Sequence, residues 1–352
     1  MCVFSFPKRS SRAGIVRGVH RDQHRASKTN FIVKSVGPIS EWAIDKIFLS
    51  SIVVAPAAVI GTIYFVVTGN IHLALLCALI APLAGLGIYA RYVAPWQIRV
   101  RRLSTADLGA FIPLRAALYP PPPLRVVFFS DLHLGRFKRT AWTQKVVDLV
   151  NAQLPDVVLI GGDFVGITDC CTLPDLLAPL AQLRAQYGVY AVLGNHDHGL
   201  PGPDLSQDLA QLFPQLNVRL LCNECIHIRE DVQLVGVEEL WAHRDDLPKA
   251  VASCNATSGR LLVLGHNPDL MLRVEHEYTD LDTQSAFFLF GHTHQGQIYL
   301  PFAPGLAIPI KSKYYRGVYH KPFGSFYVSS GLGESATPTR LNTWPEIVVL
   351  DI

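Results

Sequence analysis

The chain has 352 residues, enough for one large domain or two ordinary ones, and 49% of them are hydrophobic against only 17% charged. This composition excludes a disordered chain, and a charged fraction below the roughly 25% of soluble domains points to a membrane-embedded part. The net charge of +3 hides a division: residues 1–122 carry 14 Lys/Arg against 4 Asp/Glu, whereas residues 123–352 carry 17 against 24.

Taken in chain order, residues 1–46 form a basic cytoplasmic segment with nine Lys/Arg, among them Arg17, Arg21, Arg25, Lys28 and Lys34. No Lys, Arg, Asp or Glu follows until Arg91. Thr68-Gly69-Asn70 is turn chemistry and divides this apolar run into Ile47–Val67 and Ile71–Ala90. Each half matches the ~20 residues that cross a hydrocarbon core as a helix. Pro56 and Pro82 are tolerated in such spans. Residues 47–90 are therefore expected to form a transmembrane helical hairpin. Arg91, Arg99, Arg101 and Arg102 follow the second span, while the turn carries no cation. The positive-inside rule then puts both flanks, and the catalytic domain, on the cytoplasmic side of the inner membrane. The basic segments favour anionic inner-membrane lipids as partners, and nucleic acid is not expected.

Residues 91–122 read as an interfacial linker. Leu103, Leu108, Phe111, Ile112, Leu114 and Leu118 fit either a lipid-facing stretch or a packed linker helix. Pro120–Pro123 forms a stiff break that marks the start of the catalytic domain, 123–352.

Five apolar runs in that domain end in a small residue followed at once by polar groups. Leu124–Phe129 leads into Asp131 and His133, and Val157–Ile160 into Gly162 and Asp163. Val189–Leu193 leads into Gly194, Asn195, His196 and Asp197. Leu261–Leu264 leads into His266, and Ala286–Phe290 into His292 and His294. Runs of this length read as buried strands, and residues 140–152 and 174–187 as amphipathic helices. The alternation implies an α/β domain whose polar groups gather on one rim. Asp131, His133, Asp163, Asn195, His266, His292 and His294 offer oxygens and imidazoles without a cysteine. That set suits manganese, iron, magnesium or zinc. It exceeds the needs of one tetrahedral ion and fits two ions sharing a carboxylate, ~3.5–4 Å apart, able to clamp a phosphoryl group.

The order DLH, GGDF, GNHD, GH and GHTH over residues 124–350 resembles the calcineurin-like metallophosphoesterase superfamily. The resemblance implies a two-sheet β-sandwich flanked by helices, two divalent metal ions (manganese foremost) and phosphoester hydrolysis by in-line attack of a metal-activated water. It implies Asp131, His133 and His294 at the first metal, Asp163 between the two, and Asn195, His266 and His292 at the second. His196 would be the general acid, oriented by Asp197. Tyr187–Asp197, His266–Asp269, Gly291–Gln297 and Tyr327–Gly333, with Arg340 and Pro345-Glu346, resemble a narrower branch of membrane-tethered bacterial phosphodiesterases. Gln295 stands where that branch often has Gly, which would alter the edge of the site. Some members resemble UDP-2,3-diacylglucosamine pyrophosphatases of lipid A biosynthesis, so a lipid-linked phosphate is the expected substrate. The alternatives are a phosphoesterase for another phospholipid or nucleotide, and a non-catalytic membrane scaffold.

Arg136, Lys313, Arg316 and Arg340 are candidate substrate cations. Lys311, His320 and Lys321 lie near Lys313 and Arg316, and Tyr314, Tyr315 and Tyr319 could stack a base. Ser130 lacks the neighbours of a nucleophile. His198 is a supporting candidate, and His227, His243 and His276 read as surface residues. Glu238-Glu239 reads as a solvated pair, and Cys170-Cys171 as part of a loop over the site. Seven cysteines without paired clusters do not form a disulfide framework, and the lone Cys222–Cys225 pair is expected to hold reduced thiols rather than zinc.

Overall fold

The computed structural model describes residues 38–109, 123–166, 170–254, 260–281, 283, 285–301, 313–335 and 337–352. The cations Arg17, Arg21, Arg25, Lys28, Lys34 and Lys311, the apolar Phe111, Ile112, Leu114 and Leu118, and residues 120–122 lie outside the described residues.

The apolar run folds as two long helices, Pro38–Val67 and Ile71–Ile88, with Pro56 and Pro82 inside them. Asn70 Oδ1 caps the second by accepting the Leu73 N–H at 3.3 Å. The second continues through a π turn, Tyr89–Val93, and a 3-10 turn, Ala94–Trp96. Lys46–Val67 and Ile71–Trp96 are long and apolar enough to cross a membrane, and only 11% and 17% of their most apolar windows is buried within the protein. Ile60, Leu75 and Leu79 face outward. An apolar surface of this extent is a membrane-association site, not a water-facing one.

Twelve strands among the described residues make two six-stranded sheets. The first holds β1 (Arg99–Leu103), β2 (Arg125–Phe129), β3 (Val157–Ile160), β4 (Val189–Ala191), β5 (Val218–Leu220) and β12 (Glu346–Asp351), in the order β1-β12-β2-β3-β4-β5. The second holds β6 (Glu224–Arg229), β7 (Val232–Gly236), β8 (Arg260–Leu264), β9 (Ala286–Phe290), β10 (Gly317–Lys321) and β11 (Gly324–Val328), in the order β10-β11-β9-β8-β7-β6. β2 to β5 run parallel, as do β7, β8, β9 and β11.

The two-residue side-chain period of a strand explains the layering. Val126, Phe128, Val157 and Leu159 meet Leu262, Leu264, Phe287 and Leu289 in the core between the sheets. The alternate residues Val127, Phe129, Val158 and Ile160 pack outward with Trp142, Val146 and Val150 of the helix Thr140–Asn151. Val263, Phe288 and Phe290 pack outward with Leu270, Met271 and Val274 of the helix Leu270–His276. Both faces of each strand are thus buried, which is why these runs are almost continuously apolar.

Three expectations are corrected. Part of the expected linker 91–122 is the strand β1, paired in parallel with β12 from Arg99↔Glu346 to Leu103↔Leu350. Leu103 and Leu108 are buried in the inter-sheet core, so neither faces lipid. The expected helix 174–187 is a short helix, Leu173–Leu177, followed by a 3-10 turn, Ala178–Gln182, because Pro179 interrupts the amide ladder. Cys225 on β6 is disulfide-bonded to Cys254, which the turn after the helix Leu247–Ala252 brings to a Cα separation of 5.3 Å. Reduced thiols were expected there; the spacing in sequence, 29 residues, gave no sign of the pair.

Candidate metal centre

The parallel strands all end on one rim, and backbone bonds knit their loops together. The Asp131 N–H donates to Gly162 O at 2.9 Å, Gly291 N–H to His266 O at 3.0 Å, and Leu332 N–H to Ser130 O at 2.9 Å. The seven expected ligands Asp131, His133, Asp163, Asn195, His266, His292 and His294 meet there, and all are buried. His133 Nε2 lies 3.0 Å from His294 Nε2 and 3.4 Å from an Asp163 oxygen. His294 Nε2 lies 3.8 Å from Asp131. His266 Nε2 lies 3.3 Å from Asp163, 3.1 Å from Asn195 Oδ1 and 3.2 Å from His292 Nδ1. Asp163 therefore stands between Asp131–His133–His294 and Asn195–His266–His292, as the bridging position requires.

The backbone is shaped for this convergence. Asp131, His133, Asp163, His292 and His294 all hold positive φ, between 45° and 69°. Such conformations in non-glycine residues are uncommon, and they cluster where a fold aims side chains into a site. Gly194 is needed for a different reason: a Cβ there would overlap the Asp163 carboxylate.

The electrostatics favour cations. Burial lowers His133 to about 3 and, with the neighbouring His266, holds His292 well below the usual imidazole range. Burial and His133 do the same to His294. Three imidazoles are thus neutral, lone-pair donors. Burial raises the Asp131 carboxyl to about 6. Burial opposes ionisation of Asp163, but the charges of His266 and His196 outweigh it and hold Asp163 well below the carboxylate range. Burial likewise opposes a charged His266, and Asp163 overcomes it. His292 Nε2 and His294 Nδ1 are buried without a hydrogen-bond partner. Abutting nitrogen lone pairs, buried carboxylates and unpartnered ring nitrogens fit a pair of divalent ions.

His196 donates its backbone N–H to Asp163 at 2.9 Å, and its ring meets His133 edge-on at 4.7 Å. Its Nδ1 has no hydrogen-bond partner. The expectation that Asp197 orients this ring is corrected. The Asp197 carboxylate accepts the backbone N–H groups of Gly194 (2.9 Å), Phe164 (3.0 Å) and Val165 (3.3 Å), and so ties the Asp163 loop to the Asn195 loop. Ser130 donates its hydroxyl to Asp131 at 2.5 Å and is buried, consistent with its not being a nucleophile.

The substrate candidates separate. Arg340 is fully buried; its Nε donates to Glu334 (2.9 Å) and its Nη2 to the carbonyls of Ser330 (3.0 Å), Gly331 (3.1 Å) and Gly333, while Nη1 has no hydrogen-bond partner. It supports the loop over Asp131 and cannot clamp a phosphate. Lys313 pairs with Glu275 at 3.0 Å, outside the ligand cluster. Arg316 lies over the Tyr299 ring at 4.2 Å, next to Tyr315, whose carbonyl accepts the Thr293 hydroxyl between the two site histidines. Arg136 is exposed just beyond His133. The aromatic stack is corrected: Tyr314 is buried and Tyr319 stacks on Phe326, so both belong to the outer core. His320 and Lys321 are exposed on β10. Gln295 leaves the edge of the site alone, turning inward to Val328 O at 3.0 Å.

His227, His243 and His276 are exposed, as read, and Cys170 and Cys171 are exposed in a 3-10 turn. His198 is buried with neither ring nitrogen bonded. Sequence reasoning missed Glu239. It is fully buried, accepts the Trp241 N–H at 3.0 Å, and burial raises it to about 7. Trp241 in turn meets His292 edge-on at 4.4 Å. The signal was present: Glu238 and Glu239 follow the apolar β7 as the other motifs follow their strands. Glu238 is half-buried and bonded to Asn223 at 2.9 Å, so the pair is not solvated.

The family model for calcineurin-like phosphoesterases matches residues 124–296. Phosphodiesterase YaeI of Escherichia coli is 31% identical over 238 residues, covering 65% of this chain and 82% of the relative. The chain belongs to the calcineurin-like phosphoesterase family. Two further relatives are longer than this chain. An uncharacterized metallophosphoesterase of Helicobacter pylori is 31% identical over 236 residues, 64% of this chain and 59% of the relative. A transmembrane protein with metallophosphoesterase domain from Bos taurus is 32% identical over 269 residues, 70% of this chain and 58% of the relative. The chain thus spans less than two thirds of the length of either.

Proposed function

We propose that this protein is a membrane-bound, two-metal phosphoesterase that hydrolyses a phosphodiester or pyrophosphate bond with water. The observation that carries this reading is the convergence of seven buried ligands, with Asp163 between Asp131–His133–His294 and Asn195–His266–His292. Two divalent ions held there would supply Lewis acidity to the attacking water and neutralise charge on the phosphoryl group. His196, with a ring nitrogen unclaimed by the protein, serves as proton donor to the leaving oxygen. Asp197 acts by fixing the loops that carry Asp163 and Asn195. Arg316, beside the Thr293 loop, is a candidate for binding the substrate's phosphate.

The substrate we favour is a nucleotide-linked lipid, UDP-2,3-diacylglucosamine, cleaved to UMP and a lipid monophosphate (lipid X) in lipid A biosynthesis. The hairpin supports it, because an acylated substrate and its enzyme then share one surface. The test uses the full chain in detergent with Mn²⁺, this substrate, and product detection by mass spectrometry. Metal-dependent release of UMP, reduced at least about 100-fold in Asp163→Ala, is expected. Hydrolysis of a generic phosphodiester alone would retain the chemistry and reject the lipid; no metal-dependent turnover of either would favour a scaffold.

A further inference from the structure

A hydrocarbon core takes up about 20 residues of a helix, which in the second span reaches from Ile71 to Ala90. Arg91 comes next, and the exposed Tyr92 and Trp96 complete the headgroup-level belt that such spans carry. The Arg91 guanidinium lies 5.5 Å from the Tyr92 ring centre and 5.7 Å from that of Phe137. Phe137 belongs to the catalytic domain, four residues beyond His133. The Gly135 N–H donates to Lys138 O at 2.8 Å, and Gly135 holds φ 141°, which closes a tight turn with Arg136 and Phe137 at its tip. Both tip residues are exposed, and the Arg136 guanidinium lies 5.0 Å from the Phe137 ring centre.

The turn is fixed at both ends. Leu134 N–H donates to Phe164 O at 3.0 Å, beside Asp163. Lys138 Nζ, fully buried, donates to Glu334 (2.8 Å), to Leu332 O (2.6 Å) and to Pro95 O (3.0 Å) at the end of the span. Residues 132–147 carry Arg136, Lys138, Arg139 and Lys145 and no Asp or Glu. We propose that Arg136 and Phe137 form a second membrane contact, in which the loop that carries His133 engages anionic phospholipid headgroups. An aromatic ring flanked by guanidinium groups suits that boundary: the ring enters the acyl edge and the fork-shaped cation takes the phosphate. Arg136 then binds the bilayer rather than the substrate. The proposal rests on the membrane reading of the hairpin, not on the hydrolytic one.

The test places the full chain in nanodiscs of equimolar phosphatidylcholine and phosphatidylglycerol, with p-benzoylphenylalanine at position 137 and, separately, at position 79 inside the second span. Irradiation is followed by mass spectrometry of lipid adducts. Position 79 must give adducts in any folded, embedded sample. Position 137 is expected to give them too, with phosphatidylglycerol favoured roughly fivefold, the ratio one arginine near a charged surface contributes. Arg136→Gln should lower that ratio. Adducts at 79 with none at 137, or a ratio unchanged by Arg136→Gln, would overturn the proposal. The readout needs no turnover, so it stands or falls separately from the hydrolytic reading.

Discussion

Asp197 and His196 are neighbours in sequence and differ in what their loss should do. Asp197→Ala leaves three buried backbone N–H groups without their acceptor. At about 1–3 kcal/mol for each unsatisfied donor, the variant should lose roughly 3 kcal/mol or more of stability, read from urea unfolding in detergent. His196→Ala removes a ring with an unbonded Nδ1, so its stability should change by no more than about 1 kcal/mol. Its hydrolysis of a soluble phosphodiester should fall by about 10²–10⁴. An Asp197→Ala protein of normal stability and lost activity would restore the role of orienting His196. Protons compete with metal at Asp131 as well as at His266. Because burial raises the Asp131 carboxyl to about 6, protons compete for it below that pH and the affinity for metal should weaken. The apparent dissociation constant for Mn²⁺, read by titration of the metal-stripped protein, is expected to rise as the pH falls below about 6; an affinity unchanged between pH 7.5 and pH 4.5 would contradict it. The ligands were legible because each follows an apolar strand at a fixed short distance. The roles of Asp197 and Arg340 were not, because sequence does not show which nearby backbone groups lack partners. Arg340 is drawn to three carbonyls, and Asp197 to three amides, that only the folded loops expose.

At the level of elements, the junction between span and catalytic domain turns on one buried ion cluster. Lys138 and Arg340 share Glu334, and all three side chains are almost wholly inaccessible. The same cluster reaches the span through Pro95 O, while Arg340 N–H donates to Ala90 O at 2.8 Å. Lys138 also lies 3.8 Å from the ring centre of Trp142, which Trp96 meets edge-on at 5.4 Å. Lys138→Met removes three hydrogen bonds and one of the two cations on Glu334, which Arg340 still partners, so it should destabilise the protein by about 1–3 kcal/mol. Lys138→Met combined with Glu334→Gln also takes the carboxylate from the buried Arg340, so it should be less stable than Lys138→Met; equal stability would show that Arg340 does not depend on Glu334. Hydrogen exchange at 89–97 should rise in the single variant, since Pro95 O loses its donor. None of this was legible in a sequence where Lys138 looks like one more surface cation. β1 escaped for a related reason. Arg99, Val100, Arg101 and Arg102 are all exposed, as on many edge strands, so the segment lacks the apolar alternation by which the central strands were recognised.

For the whole molecule, the two ends of the hairpin decide which side of a membrane meets the metal centre. The turn Thr68–Asn70 carries no cation, whereas nine Lys/Arg precede the first span and Arg91, Arg99, Arg101 and Arg102 follow the second. Cationic flanks stay on the cytoplasmic side, so the turn and the catalytic domain should lie on opposite sides. Labelling with a membrane-impermeant maleimide separates the two. In right-side-out vesicles, Gly69→Cys should react at once, because position 69 lies in the turn. Cys170 and Cys171 are exposed on the catalytic domain and should react only after the vesicles are opened. Inverted vesicles should reverse the pattern. Reaction of position 69 and of both native cysteines from the same side would mean that the hairpin lies along the bilayer instead of crossing it. The ion cluster at Lys138 makes this outcome matter for the site. The span is not joined to the catalytic domain by a free linker; its final turn bonds to residues 138 and 340, whose partners Leu332, Gly331 and Gly333 form the loop against Asp131. If the hairpin crosses, the direction in which the second helix leaves the bilayer would therefore fix where the loops around Asp131 and His133 lie relative to the headgroups.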